Sequence, residues 1–166
     1  MKNIDGTITT ATPGKQTVEV SEVATKADFE AMLQSNNSTT IYMLKNDIDF
    51  EGTLKTSLTE FVGVFNGMGH KLSNITLTNT TDTAHNNIPG EGIFRVVRGG
   101  TVMNVVFENI TISDAGPKTG IIALMYGGYA SDIKIHNVRI SSTQRVGALI
   151  GQVIAEKTKP STTYID

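Results

Sequence analysis

Apolar residues along most of this chain fall two apart with polar residues between them, the period of a β-strand that buries one face. Val18-Glu-Val-Ser-Glu-Val23 alternates and predicts a short strand. The alternation resumes from Thr40, with Ile41 and Met43, then Ile48 and Phe50. Between these stretches the period changes. Thr25-Lys-Ala-Asp28 fits a capping box, in which the hydroxyl accepts from an early backbone N–H and the carboxylate reaches back. Phe29, Met32 and Leu33 then follow at helical spacing, predicting one short helix over about 26–34 that Asn36-Asn37-Ser38 ends.

The strand pattern is periodic on a longer scale. Gly92 to Ser113 reads GIFRVVRGGTVMNVVFENITIS, and 28 positions on, Gly120 to Ser141 reads GIIALMYGGYASDIKIHNVRIS. A Gly–apolar–apolar motif occurs at Gly63, Gly92, Gly120 and Gly147. A fixed period of this size signals units that bury their apolar faces against their neighbours. Matching the elements after each motif gives expected apolar ladders Leu72–Val102, Ile75–Val105–Ile133 and Leu77–Phe107–Ile135, with Asn79, Asn109 and Asn137 at the corners. Asparagine suits a corner because it tolerates left-handed backbone angles.

The expected fold is therefore all-β: a parallel, right-handed β-helix of about 4–5 rungs, starting near residues 40, 63, 92, 120 and 147 and capped by the N-terminal helix. The rival is an antiparallel sandwich. Residues 1–17 read as a linker or tail and 18–166 as one β-helical domain, from which the polar stretch 78–90 projects as a loop.

Composition narrows the picture. Cysteine is absent, which removes disulfides and thiolate metal sites. A formal charge of −2 argues for neither nucleic acid nor an acidic membrane, and no apolar run is long enough to span a bilayer. The charge is unevenly placed: residues 1–91 hold six Lys/Arg against eleven Asp/Glu, and residues 92–166 hold eight against five. The start, MKNIDGTITT, lacks an apolar leader, and the end, TTYID, reads as the opening of another repeat, so the expectation is a fragment of a longer protein.

Candidate chemistry is sparse. His70, His85 and His136 form no metal-binding motif, and His136 takes the slot that Glu108 fills one repeat earlier. Asn46-Asp47-Ile-Asp49-Phe-Glu51-Gly52 begins like a calcium loop, but Leu58 stands where the closing Glu belongs. Glu108 and Asp132, the acids on the matched strands, fall at different places in the repeat, unlike a glycosidase pair, and no nucleophile motif appears. What remains is a binding face on the outer surface of the last repeats. Arg98 is expected over Tyr126, Thr101 over Tyr129 and Thr111 over Arg139, with Arg95, Arg145 and His136 nearby and His85 on the 78–90 loop. Tyr and Arg are the residues enriched at recognition hot spots.

The run Asp47-Ile-Asp49-Phe-Glu-Gly, then Phe61-Val-Gly-Val-Phe-Asn-Gly-Met-Gly-His70-Lys-Leu-Ser-Asn-Ile-Thr-Leu77, then Gly92-Ile-Phe94 and Thr119-Gly-Ile-Ile122, carries a resemblance. It resembles the glycine-rich β-helical repeat region of Gram-positive surface zinc metalloproteases of the immunoglobulin A protease family, over roughly residues 25–155. Bacterial adhesins carry related repeats. The family's H-E-x-x-H zinc site lies in a separate domain and has no counterpart here, so the resemblance implies no cofactor in this segment and zinc only in the parent protease domain. It implies a non-catalytic module, secreted or attached to the bacterial cell wall, that holds substrate or spaces the protease. The expected partners are immunoglobulin or another host protein and the parent's other domains, and the expected state is a monomer. An adhesin repeat binding host protein or glycan is the alternative, and a carbohydrate-active enzyme the second. An open last rung would also offer an unpaired strand edge to another copy.

Overall fold

The computed structural model describes residues 18–54, 60–78, 91–113, 118–142, 144–154 and 163–165, with Thr78 and the last three through their backbone alone. The expected tail 1–17, nearly all of the 78–90 loop and His85 lie outside the described residues.

The chain opens with β1 (Glu19–Val23) and α1 (Lys26–Leu33). The capping box forms as the sequence predicts. The Thr25 hydroxyl accepts from the Asp28 amide at 3.1 Å, and the Asp28 carboxylate accepts from the Ala24 and Thr25 amides at 3.1 and 2.9 Å. The helical spacing puts Phe29, Met32 and Leu33 on one face, all buried. Phe29 packs edge-on against Phe50, Phe65 and Phe94 at centroid distances of 5.5, 5.5 and 6.0 Å. Each such burial stabilises by roughly 2–3 kcal/mol.

Strands follow: β2 (Thr40–Leu44), β3 (Ile48–Thr53), β4 (Val64–Asn66), β5 (Lys71–Thr78), β6 (Phe94–Arg98), β7 (Thr101–Ser113), β8 (Lys118–Thr119), β9 (Ile122–Tyr126), β10 (Gly128–Ser141), β11 (Arg145–Val146), β12 (Ile150–Ile154) and β13 (Thr163–Ile165). The strand pairings are parallel throughout. The largest sheet runs β1-β2-β4-β7-β10-β13, and β3 and β5 join it through β7. A second sheet runs β6-β9-β12, and β8 pairs with β11. The described residues are thus mostly parallel strand with one short helix, and the antiparallel sandwich is ruled out for these strands.

Between β7 and β10 the register is the 28-residue step read from the sequence. Val105 faces Ile133, Phe107 faces Ile135, Ile110 faces Val138 and Ile112 faces Ile140. One repeat earlier the expected ladders are wrong. Leu72 lies beside Phe107, Ile75 beside Ile110 and Leu77 beside Ile112, a step of 35 rather than 30. Asn74, not Asn79, shares the corner with Asn109 and Asn137, and their φ angles are 56°, 56° and 50°. The cause is a shorter repeat inside the longer one. Leu72-Ser-Asn-Ile-Thr-Leu77 matches Phe107-Glu-Asn-Ile-Thr-Ile112 and Ile135-His-Asn-Val-Arg-Ile140, but its apolar spacing also fits Val102-Met-Asn-Val-Val-Phe107. Spacing alone allows both alignments, and the Ser/Glu-Asn-Ile-Thr string distinguishes them.

The glycine motif divides likewise. Gly92, Gly120 and Gly147 form one column, in which a Cβ on Gly92 would lie 2.3 Å from the Gly120 carbonyl oxygen. Gly63 belongs to a different column, with Gly100 and Gly128: the Thr101 amide donates to the Gly63 carbonyl at 2.9 Å.

The core is built from columns. Phe65, Val102 and Ala130 are aligned and buried, as are Leu72 and Phe107. Along β6 and β9 the consecutive residues 93–97 and 121–125 are all buried, so both faces of that sheet are covered there.

Candidate functional site

With the apolar columns turned inward, chemistry is left to the corners and the outer face. At one corner the side chains of Asn137, Asn109 and Asn74 form a ladder. Asn137 Nδ2 donates to Asn109 Oδ1 at 2.7 Å, Asn109 to Asn74 at 3.0 Å, and Asn74 to Asp49 Oδ2 at 2.8 Å. An amide both accepts and donates, so it can sit inside such a ladder, whereas a carboxylate can only receive it at an end. These asparagines are accounted for by the fold.

Arg98 and Tyr126 meet as expected, with the guanidinium carbon 4.2 Å from the ring centroid. Arg98 is also held by a bidentate pair to Glu60, at 2.5 Å from Nε and 2.9 Å from Nη2. Arg95 is buried and engaged, so it presents no open binding surface. Tyr129 lies beside Thr101 and Arg139 beside Thr111, as the spacing predicts. His136 lies beside Glu108, but Glu108 pairs with Lys71 at 2.6 Å, which holds the Lys71 ammonium above its ordinary value. Arg145 lies beside Lys118, whose pKa is pushed down by burial and by the Arg145 charge. The structure therefore distributes the expected binding residues over three sheets: Arg95, Arg98 and Tyr126 on one, Tyr129, His136 and Arg139 on another, Arg145 on the third.

A face of which the sequence reading found only the Thr101–Tyr129 end runs across the largest sheet. Tyr42, Phe65, Val102 and Ala130 point inward and are buried. Their neighbours alternate to the outside, so Val20, Ile41, Val64, Thr101 and Tyr129 make an outer row across five strands. Val20 is 56% exposed and Tyr129 36%. Beside this row lie two adjoining clefts. One, of about 350 Å³, is lined by Val20, Glu22, Met43, Leu44, Lys45, Met68 and His70. The other, of about 560 Å³, is lined by Asn66, Met68, Gly69, Asn104, Val105, Val106, Asp132 and Lys134. Met68 borders both, 50% exposed and held at φ 54° in a turn where Asn66 Oδ1 accepts from its amide at 2.9 Å.

The rim of the first cleft is charged and ordered, and Asp132 and Lys134 line the second. Lys45 pairs with Glu22 at 2.8 Å. The Asp47 carboxylate accepts from the Lys71 amide at 3.0 Å and meets His70 Nδ1 at 3.2 Å. The amide bond, with His70 and Lys71 assisting, holds Asp47 below the usual carboxylate range despite some burial. A signal was present in the sequence: Met68 is an apolar residue inside the polar Asn66–His70 turn.

Among the described residues no group of three or more His, Asp or Glu side chains is placed to hold a metal ion, and no helix is long and apolar enough to cross a membrane. Asp47, Asp49 and Glu51 do not converge like calcium ligands: Asp47 serves Lys71 and His70, while Asp49 serves Asn74 and the Glu51 amide. A scan against protein-family models, a search of curated proteins and a search of solved structures each found no match.

Proposed function

We propose that this chain is a right-handed parallel β-helix serving as a non-catalytic binding module of a secreted or wall-attached bacterial protein. The fold reading is supported by parallel ladders that return at near-constant steps and by apolar, asparagine and glycine columns shared between successive repeats. The functional reading rests on one observation: the outer row Val20–Ile41–Val64–Thr101–Tyr129 with its two flanking clefts. Apolar surface beside charged rims suits a protein partner, and the exposed thioether of Met68 adapts to irregular surfaces. The resemblance to repeats of immunoglobulin A-cleaving zinc metalloproteases makes a host immunoglobulin the first partner to test and places any zinc chemistry in another part of such a protein.

The test is a titration of the isotope-labelled chain with immunoglobulin A, read by amide and methionine methyl signals. Changes centred on Val20, Met43, Met68 and Tyr129 are the expected result. Unchanged spectra at saturating immunoglobulin would remove the substrate-holding reading and leave a spacer.

An adhesin-type repeat is the second reading. It is favoured by the hydroxyl column Thr53–Thr76–Thr111, which continues as Arg139. Oligosaccharides that shift this column and leave the Met68 clefts unchanged would select it. A carbohydrate-active enzyme is disfavoured, because Glu108 is engaged by Lys71 and shares no register position with Asp132. Release of product from uronate or neutral polysaccharides would reinstate it.

A further inference from the structure

Asn66-Gly67, in the turn beside Met68, is the single asparagine–glycine pair of the sequence. In such a pair the glycine nitrogen can attack the asparagine side-chain carbonyl, because no Cβ hinders the approach. The bond between Gly67 N and Asn66 Cγ forms, the Cγ–Nδ2 bond breaks, and ammonia leaves with the proton of the Gly67 amide. Water then opens the cyclic imide at one carbonyl or the other, giving aspartate or isoaspartate.

Stacking explains the glycine. A Cβ on Gly67 would lie 2.5 Å from the Asn104 carbonyl oxygen and equally close to the Val105 Cβ. The residue that makes the pair reactive therefore cannot be exchanged without breaking the column. The same packing blocks the reaction. The Gly67 amide donates to the Met103 carbonyl at 2.8 Å, which holds its nitrogen toward β7. Asn66 Oδ1 accepts from the Met68 amide at 2.9 Å and from Asn104 Nδ2 at 3.3 Å, which fixes the side-chain carbonyl over Met68. The Gly69 amide closes the turn onto β7 by donating to the Asn104 carbonyl at 2.8 Å. Attack needs the Gly67 amide freed from Met103 and the Asn66 side chain turned away from Met68. Both require the turn to lift off β7, a local opening that leaves the rest of the stack intact.

We propose that Asn66-Gly67 is a latent self-modification site, held unreactive by β7 and released when the 66–70 turn opens. Its two products have different fates. Aspartate offers a carboxylate oxygen where Oδ1 stood and keeps both bonds. The turn then re-forms with a second carboxylate, besides Asp132, in the wall of the larger cleft. Isoaspartate routes the main chain through its side-chain carbon and adds one backbone atom after β4. The Gly67 and Gly69 amides then cannot both meet Met103 and Asn104 in register, and Met68 is displaced from between the clefts. Each opening that reacts leaves a permanent mark on this face, whatever the face binds.

The test incubates the intact chain at mildly alkaline pH, folded and in urea, and follows Asn66 by peptide mapping with isoaspartate detection. The expected result is conversion of Asn66 in the unfolded chain and a rate at least roughly thirtyfold lower in the folded one, because the reaction tracks the population of the open turn. Two variants locate the opening. Asn104→Gly removes the donor to Asn66 Oδ1 and suits the φ of 52° at that position, so it should speed the folded reaction at least roughly threefold. Asn109→Gly alters a corner that does not touch the turn and should leave the rate unchanged. Circular dichroism verifies that both are folded. Met68 amide and methyl signals should keep their positions in Asn66→Asp and lose them in the purified isoaspartate form. Equal rates in the folded and unfolded chain, or no conversion in the unfolded chain, would overturn the proposal. So would equal effects of the two glycine variants, or an isoaspartate form whose Met68 signals match those of the unmodified chain.

Discussion

Asn109 occupies the middle of the amide ladder, and its replacement separates two contributions. Asn109→Ala removes the bonds to Asn137 and Asn74, of 2.7 and 3.0 Å. Both are solvent-accessible, so each contributes about 0.5–1 kcal/mol. The residue also sits at φ 56°, where a Cβ without a polar side chain costs about 1 kcal/mol more than asparagine. The expected loss for Asn109→Ala is therefore about 2–3 kcal/mol, or roughly 4–12 °C in melting temperature. Asn109→Gly loses the same bonds without the left-handed penalty and should cost about 1–2 kcal/mol. Urea unfolding followed by far-UV circular dichroism measures both, with the slope of the transition unchanged. Equal midpoints for the two variants would refute the backbone part of the argument. Losses below about 0.5 kcal/mol for both would refute the ladder as a source of stability.

Gly92→Ala places a methyl group 2.3 Å from a backbone oxygen that cannot move away, so its cost should exceed about 3 kcal/mol. Gly69→Ala meets no atom within 4 Å and pays only for φ 82°, about 1–2 kcal/mol; similar melting temperatures for the two would contradict the column geometry. Phe29→Ala should cost about 3–5 kcal/mol in urea unfolding, since the ring is fully buried against three others; a loss under about 1 kcal/mol would mean that α1 does not cap the core. The Asp28 carboxyl is held below its ordinary value by the Thr25 hydroxyl and by the Ala24 and Thr25 amides. Its contribution to stability is complete above the unfolded carboxylate value of about 3.9 and is lost as pH falls through the lower folded value. Asp28→Asn should therefore shallow the acid limb of the stability profile, and an unchanged limb would exclude the cap as a contributor.

Local signals were legible. The capping box, the helix and its buried face follow from Thr25, Asp28 and the Phe29–Leu33 spacing, because each depends on residues within two turns. The step between β7 and β10 was legible as well, since two glycine-led strings of equal length leave a single alignment. The step before it was not. Val102/Val105/Phe107 and Phe107/Ile110/Ile112 have the same apolar spacing, so Leu72/Ile75/Leu77 fits either, and a glycine motif at Gly63 favoured the wrong one. The binding face was illegible for a different reason. Arg and Tyr were singled out by residue type and the Arg98–Tyr126 contact follows from the repeat step, yet Glu60, 38 residues away in sequence, pairs with Arg98 as well. The row from Val20 to Tyr129 takes one residue from each of five strands; its Thr101–Tyr129 end follows from the repeat step, but Val20, Ile41 and Val64 join it only once the register of β1, β2 and β4 is set.

The clefts lie where the chain departs from its own repeat. In β7 and β10 the first six-residue unit ends at Phe107 and Ile135, and its corner is Asn104 or Asp132, at φ 52° and 50°. Between Phe65 and Leu72 the corresponding passage is two residues longer and runs through Gly67-Met68-Gly69. Stacking demands glycine at the first of these, where a Cβ would lie 2.5 Å from the Asn104 carbonyl oxygen. It makes no such demand at Met68, whose side chain is half exposed at φ 54°. The Asn66 side chain supports the turn by accepting from the Met68 amide, but the thioether itself is half exposed. Under the proposed function, that thioether is the first contact to test. The inner columns are apolar and the stacked corners at Asn74, Asn104, Asn109, Asp132 and Asn137 are Asn or Asp, so the positions that the stacking leaves free are outer slots and breaks such as this one. Met68, between two clefts and beside the outer row, is both.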